Sequence, residues 1–595
     1  MPLKAIFRLI AVGGTVAGLL GACNRPAPSP GTAPKPVLAA PHDEAAAWAE
    51  TTLRTLSLER KAGQMISVET RGEFAALDSP SCGRLVGLIR DHGIGSLVVY
   101  GGTPQDTASL LNRLQRESSL PLFVASDFEG GPGQQIAGAS EFPANMALSA
   151  AGSEELAYAV GRAGAAEGRA IGIHITFSPV VDIQTRPDNP VLGVRSFGAD
   201  IDVLGRLAGA YIRGYQENGM LATAKHFPGR GDVRLIPGTE FTVNDKPAEA
   251  VEAGDLAAFK KAIGAGVTLV MSEHIAVPSV TGGSDLPASV EKKLATGWLK
   301  DRLGFTGILT TDDMWYEKVV RRFGAVEACV RAVEAGHDMI LKPADPVATI
   351  AGLVEAVKSG RLSEARLDAS VRKILYWKAR LNLHRERLVD EGRVAAIVGC
   401  QAHQALVAKV ADESLTLVRN NGFFPRAASD PGKIVHVSIQ RKELDPAPAV
   451  VEAKLKAAFP SLKSFAVGPF TSDERRAAAV EAAGRADMVV ISLFNARTAY
   501  KDNGPLSDKD RALVDRLVRA KPKAVAAVSY GNPYLAGELA GVAAFVVGYG
   551  EGGFYGNQTV FADSFIRLLK GELRPKGKLP VAVSADCPAG TGIAY

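Results

Sequence analysis

Eight short apolar runs, each ending in polar residues and each separated from the next by a helical pattern, fill residues 46–385. The runs are Gly63–Val68, Gly95–Tyr100, Pro121–Asp127, Ile173–Asp182, Met220–His226, Thr268–His274, Gly307–Asp312 and Asp338–Leu341. Apolar runs of this length read as strands buried on both faces of a parallel sheet. Segments between them, such as Ser153–Ile171, Asp200–Gly219 and Ala248–Ala265, carry helical periodicity. The alternation predicts an α/β fold, a (β/α)8 TIM-like barrel, in preference to a doubly wound open sheet. The polar tips carry Asp127, Asp182, Lys225-His226, Glu273-His274 and Asp312. Side chains at the carboxyl ends of barrel strands are where such a fold places its chemistry.

The remainder of the 595 residues supplies a second block. Residues 386–402 read as a helical linker. Strand patterns follow at Lys433–Ser438, Ser464–Val467, Met488–Leu493, Ala524–Ser529 and Ala543–Val547, with helices such as Ser507–Ala520 between them. Five such units are too few for a barrel and predict an open αβα sandwich over 403–595. The composition, 47% hydrophobic and 22% charged, is that of a globular chain. A net charge of +5 with no basic cluster interleaved with aromatics argues against nucleic acid. No Cys/His array at metal spacing and no phosphate-binding loop occurs, so neither metal nor cofactor is expected.

Residues 1–23 read as a targeting segment. Lys4 and Arg8 begin it, and the apolar stretch Ile10–Leu20 is shorter than the ~20 residues that span a bilayer. It closes in Leu20-Gly21-Ala22-Cys23, which resembles a bacterial lipobox with Cys23 as the lipidated residue. An ordinary secretory signal cut near Ala22 is the alternative. The Pro/Ala-rich residues 24–45 suit an extended tether. The expectation is an exported envelope lipoprotein, on the periplasmic or outer-membrane side, held to a membrane by its acyl chains. Cys82, Cys329, Cys400 and Cys587 are far apart and read mostly as buried small hydrophobes.

Asp312 ends the run Gly307-Ile308-Leu309-Thr310-Thr311 and is followed by Asp313 and Met314. A carboxylate nucleophile among polar strand tips is what glycosyl transfer needs. The competing reading of Asp312 is a helix N-cap, a task Asp313 serves equally well. Lys225 and His226 can donate hydrogen bonds to hydroxyl groups. Asp182 reads as a residue that orients its neighbours, and His174 as a satisfied core histidine.

Six motifs occur in order: Ala125-Ser126-Asp127-Phe128-Glu129-Gly130-Gly131, Phe177-Ser178-Pro179-Val180-Val181-Asp182, Arg195-Ser196-Phe197, Lys225-His226-Phe227-Pro228-Gly229, Met271-Ser272-Glu273-His274 and Thr311-Asp312-Asp313-Met314. Together they resemble glycoside hydrolase family 3, in its β-N-acetylhexosaminidase branch. Glu413–Val418, Gly531-Asn532-Pro533-Tyr534 and Gly577–Val581 resemble that family's second domain more loosely. The resemblance implies a retaining mechanism with Asp312 as nucleophile. It implies that Asp127 accepts hydrogen bonds from sugar hydroxyls, that Arg195, Lys225 and His226 line the same sugar site, and that His274 lies near the nucleophile. The implied partner is a β-linked amino-sugar oligosaccharide, from peptidoglycan or chitin.

The chain departs from the family where the proton donor is expected. The branch follows its Lys-His motif with a loop carrying Asp-Ser-His, but Ile236, Pro237 and Gly238 stand at that triplet here, and Arg230 replaces a His. Neither Ile nor Gly moves a proton. Candidate donors are Glu240 in the same loop and Glu273 at a strand tip, with Asp502 and Glu551 in the second block. The alternatives are a sugar-binding envelope lipoprotein of little or no activity, transfer to another acceptor, and a β-glucosidase or β-xylosidase.

Overall fold

The computed structural model describes residues 41–76, 79–189, 191–231, 233, 241–425, 432–441, 445–495, 505–550 and 558–595. Cys23, Glu240, Asp502 and Glu551 lie outside the described residues, as do Ile236, Pro237 and Gly238.

All eight expected barrel strands form: β1 (Ile66–Arg71), β2 (Ser96–Tyr100), β3 (Phe123–Ser126), β4 (Ile175–Thr176), β5 (Leu221–Phe227), β6 (Leu269–Ser272), β7 (Ile308–Thr311) and β8 (Ile340–Leu341). They pair in parallel in chain order, and β8 returns to β1 through Ile66 opposite Ile340. A bridge between Thr310 and Met339 joins β7 to the entry of β8 and closes the ring. Strands β2 to β7 are buried almost throughout, as expected where helices cover one face and barrel packing fills the other. The polar residues thus emerge only where each strand ends.

The helices follow their local signals. Ser153, Asp200 and Ser507 cap the helices Glu154–Ala170, Ile201–Gln216 and Asp508–Ala520 by accepting backbone N–H bonds. Each cap contributes about 1 kcal/mol. Two expectations are corrected. The long run Ile173–Asp182 yields only β4 and one further bridge, Val180 to Lys225, because Pro179 has no N–H for the ladder. The helix expected over Ala248–Ala265 is interrupted by a π-turn at Glu252–Leu256. That turn places Asp255 beneath the loop that follows β5, where Asn244 and Lys246 donate to it.

A second sheet contains β9 (Thr416–Asn420), β10 (Ile434–Gln440), β11 (Lys463–Val467), β12 (Met488–Phe494), β13 (Val525–Ser529) and β14 (Ala544–Val547). Its order is β9-β14-β13-β12-β10-β11, all parallel except β9 against β14. Helices pack on this sheet in the αβα manner. Here the five-strand expectation is corrected to six. The missed edge strand ends in Arg419-Asn420, so only its partner distinguishes it from a loop. The linker is also less helical than expected, with a 3-10 turn at Glu391–Arg393 and a short helix at Val394–Ile397. The first described helix, His42–Thr55, begins ahead of the expected barrel boundary at 46.

Loops of the second sheet reach the barrel mouth: Gln184 Nε2 donates to the Tyr534 hydroxyl at 3.2 Å, and Ala144 N donates to Tyr549 O at 3.2 Å. The four described cysteines are free thiols; Cys82, Cys329 and Cys587 are buried and Cys400 is half-buried.

Candidate active site

Charged side chains converge above β3, β5, β6 and β7. Asp312 follows the last residue of β7, and its N–H donates to Ser272 O of β6 at 2.8 Å, so its backbone is held by the strand ladder. Its own Oδ1 accepts the Asp313 N–H at 2.7 Å. The N-cap alternative does not hold, because the next helix, Glu317–Phe323, starts beyond it with Tyr316 as its N-cap residue.

On one side of Asp312 lies a cradle of fixed charges. Lys225 Nζ donates to Asp127 Oδ1 at 2.7 Å and to Glu129 Oε1 at 2.6 Å. Arg195 grips Glu129 in a two-bond fork, Nε to Oε2 at 2.7 Å and NH2 to Oε1 at 2.8 Å. Burial opposes charge on Glu129, but the two cations prevail and hold its carboxyl well below the usual range. The Tyr100 hydroxyl donates to Asp127 Oδ2 at 3.0 Å. His226 Nδ1 lies 2.7 Å from Asp182 Oδ2, and the same carboxylate accepts the backbone N–H of His226 and of Arg230. Asp182 therefore orients its neighbours, as expected, and burial lifts its carboxyl to about 6. Burial and the surrounding cations keep the His226 ring neutral. Tyr100, Asp127, Glu129, Arg195, Lys225 and His226, with Gln134, Gln135 and Phe177, line a polar cavity of about 330 Å³ that opens on Asp312.

On the other side lies a second cavity of about 330 Å³, walled by Val191, Val233, Ile275, Trp315 and Tyr316. Arg230, Asp312 and Asp313 line both cavities, whereas Glu273 and His274 line only this one. Burial leaves His274 neutral. Its Nε2 donates to Asp313 O at 3.0 Å and its Nδ1 accepts from Ser289 Oγ at 2.8 Å, so both ring nitrogens are engaged. The ring stacks on Tyr316.

Arg230 occupies the partition between the cavities. Its guanidinium contacts the Glu273 carboxyl and lies 3.9 Å from Asp312 Oδ2. Two glycines seat it: a β-carbon on Gly229 would lie 2.6 Å from Asp255 Cβ, and one on Gly231 would lie 2.1 Å from Ile183 O. Gly229 also has φ +127°, a region that side chains disfavour. Burial pushes the Glu273 carboxyl up to about 8, against the pull of Arg230 and with the charge of Asp312 adding to the rise. Burial raises Asp312 too, but the Arg230 guanidinium and the hydrogen bond from the Asp313 N–H outweigh it and hold it below the usual carboxylate value. One polar atom each of His226, Glu273 and Asp312 lie within 4.8 Å of one another, and Arg230 already supplies this cluster with a cation.

The structure thus brings together Asp127, Arg195, Lys225, His226, Glu273, His274 and Asp312 from the sequence reading. It adds Glu129, Tyr100, Asp313, Trp315, Tyr316 and Lys342. Lys342 bonds both Asp313, at 2.9 Å, and Glu69, at 3.0 Å. Glu129 could have been found in sequence from its place two residues after Asp127. Asp313 adjoins Asp312 in its motif, and nothing local marks the others. His174 is the satisfied core residue expected, its Nδ1 accepting from Val124 N at 3.1 Å.

A parallel barrel with carboxylates at its mouth, a polar cradle on one side of them and an aromatic-walled cavity on the other, defines a glycosidase. The chain belongs to glycosyl hydrolase family 3: the family's N-terminal domain description matches residues 57–376. A relative from Cellulomonas fimi, named beta-N-acetylglucosaminidase/beta-glucosidase, is 32% identical over 394 residues, covering 63% of this chain and 67% of that one. The structure of a family 3 beta-N-acetylglucosaminidase from Paenibacillus sp. str. FPU-7 superposes with a TM-score of 0.75 at 29% identity, over 89% of this chain and 99% of that one. A structure described as beta-glucoside phosphorylase BglX gives a TM-score of 0.77 at 25% identity, over 92% of this chain and 98% of that one.

Proposed function

We propose that this chain is a retaining exo-glycosidase that removes terminal β-linked N-acetylglucosamine through a glycosyl-aspartate intermediate on Asp312. The observation that carries the reading is the place of Asp312 at the junction of the two cavities, with its carboxyl held ionised. A sugar ring in the polar cavity meets hydrogen-bonding groups on Asp127, Lys225, Arg195 and His226. Its anomeric carbon then faces Asp312, and the leaving group enters the apolar cavity beside Trp315 and Tyr316. Asp127 suits two neighbouring hydroxyls, because its two oxygens are already held by Lys225 and Tyr100. The names of the Cellulomonas fimi and Paenibacillus relatives support the amino sugar, in fragments such as those of peptidoglycan or chitin.

The test is release of p-nitrophenol from its β-N-acetylglucosaminide and from its β-glucoside, with NMR of the sugar as it is freed. Faster cleavage of the acetylated substrate and initial release of the β-anomer are expected, and an Asp312→Asn variant loses activity on both. Faster cleavage of the glucoside overturns the sugar assignment. An Asp312→Asn enzyme as fast as the parent overturns the nucleophile.

A second reading, transfer of the glycosyl group to phosphate, is favoured by Arg230, a cation on the wall of both cavities. A glycosyl phosphate seen by phosphorus NMR, formed faster than free sugar, would select it.

Export and anchoring through Cys23 belong to the same proposal and rest on Leu20–Cys23. Incorporation of labelled palmitate by the parent but not by a Cys23→Ser variant is the expected result.

A further inference from the structure

Retaining hydrolysis needs a proton donor on the leaving-group side of the nucleophile. The groups around Asp312 can be sorted by what already holds them. Asp127 and Glu129 are committed to Lys225 and Arg195 in the polar cradle. Asp182 stands behind His226 and lines neither cavity. His226 faces the polar cavity, and both nitrogens of His274 are engaged. Asp313 pairs with Lys342 and lines the polar cavity as well as the apolar one. Among the described residues, Glu273 is the one carboxyl that lines the apolar cavity and not the polar one.

From this geometry we infer that Glu273 is the general acid–base of the site, positioned by Arg230. The inference rests on the reading of Asp312 as nucleophile. In the first step the Glu273 proton passes to the glycosidic oxygen as its bond to the anomeric carbon breaks, and an Asp312 oxygen bonds to that carbon. In the second step the Glu273 carboxylate takes a proton from water. The water oxygen bonds to the anomeric carbon, the ester to Asp312 breaks, and both carboxyls return to their starting states.

Three observations converge on this role. One oxygen of Glu273 lies within 4.8 Å of one on Asp312, on the short side of the ~5–5.5 Å carboxyl separation of retaining pairs. The groups facing Glu273 are Arg230, Asp312, His274, His226 and Tyr316, and their combined effect with burial leaves it protonated near neutral pH. Arg230 supplies what the second step needs, a cation beside the carboxylate once its proton has gone. Arg230, which stands where the family has a His, and Glu273 are therefore partners in one device.

The experiment compares Glu273→Gln and Glu273→Ala with the parent on two substrates of the sugar the parent prefers. One is the p-nitrophenyl glycoside, whose leaving group needs little protonation. The other is the β-linked disaccharide, N,N′-diacetylchitobiose or cellobiose. Loss of an acid costs about 10²–10⁴-fold where protonation matters. The variants should lose that much kcat/KM on the disaccharide and less than tenfold on the aryl glycoside. Azide should restore turnover of the aryl substrate by Glu273→Ala and yield the β-glycosyl azide. Equal losses on both substrates, with no azide adduct, overturn the assignment. Gln keeps the size of Glu, so a variant that still binds the sugar but shows equal losses also counts against it. If Asp312→Asn is inactive and Glu273→Gln keeps the parent's substrate ratio, only the acid is misassigned. If Asp312→Asn remains active, the underlying reading has failed instead.

Discussion

Arg230 reaches from the loop after β5 to pair with Glu273 at the end of β6, and the same guanidinium lies 3.9 Å from Asp312. One cation thus faces two carboxyls that titrate apart. Glu273 is buried and Asp312 half-buried; Glu273 is lifted to about 8 while Asp312 is held below its ordinary value. Such a separation suits the roles proposed for them, Glu273 as acid and Asp312 as nucleophile.

The pH dependence follows from that separation. With the proposed roles, activity needs Asp312 ionised and Glu273 protonated, so kcat/KM should fall as pH drops through the depressed value of Asp312 and as it rises through about 8. Arg230→Ala removes a cation that pulls both carboxyls down. Its acidic limb should therefore move to higher pH, and its basic limb should move up as well. Glu273→Gln should lack the basic limb. Profiles of kcat/KM on the p-nitrophenyl glycoside check both.

Asp127 should matter for binding and for the transition state, but less than Asp312. A hydrogen bond to a charged group contributes about 1.5–3 kcal/mol, so Asp127→Asn should lower kcat/KM by roughly 10–100-fold. Removing the nucleophile should cost on the order of 10⁴–10⁶-fold, as seen when such a residue is deleted elsewhere. Steady-state kinetics of the two variants side by side will show whether this order holds.

Glu129 anchors the cradle by holding Lys225 and Arg195 together. Glu129→Ala leaves two cations with too few partners in a buried site, a change that costs about 3–5 kcal/mol. With its folded pKa depressed, the stabilisation from Glu129 is present above the ordinary glutamate value of 4.5 and is lost as pH falls through the lower folded value. Urea denaturation of parent and variant at neutral pH and near pH 3 should show the gap narrowing in acid.

Lys378 is a buried cation at the far end of the barrel from the site. Its ammonium donates to Gln64 Oε1 at 2.8 Å and lies 5.4 Å from the centre of the Phe123 ring. Burial lowers its pKa from 10.5 to about 7, so folding releases a proton between those values and stability rises with pH across that window. The gain is lost as pH falls back from 10.5 to about 7, and below that no further change follows. Lys378→Met should be more stable at neutral pH by on the order of 1–3 kcal/mol. It should also lose the dependence on pH between 7 and 10.5, which thermal melts across that range would reveal.

What the sequence determined by itself is local. Apolar runs such as Ile308–Thr311, caps such as Asp200 and Ser507, and the polar tips at Asp127, Lys225, Glu273 and Asp312 are set by neighbours along the chain, so the barrel and much of the site were legible. The motif resemblance added Arg195. Strand ends that only ring closure brings together were not legible. The edge strand Thr416–Asn420 exists because β14 pairs with it. The clasp of Glu129 by Lys225 and Arg195, the burial of Lys378, and the pairing of Arg230 with Glu273 each depend on groups from separate elements. Whether a carboxyl carries a proton depends on the charges facing it and the water excluded around it, and those are decided only when the barrel has closed.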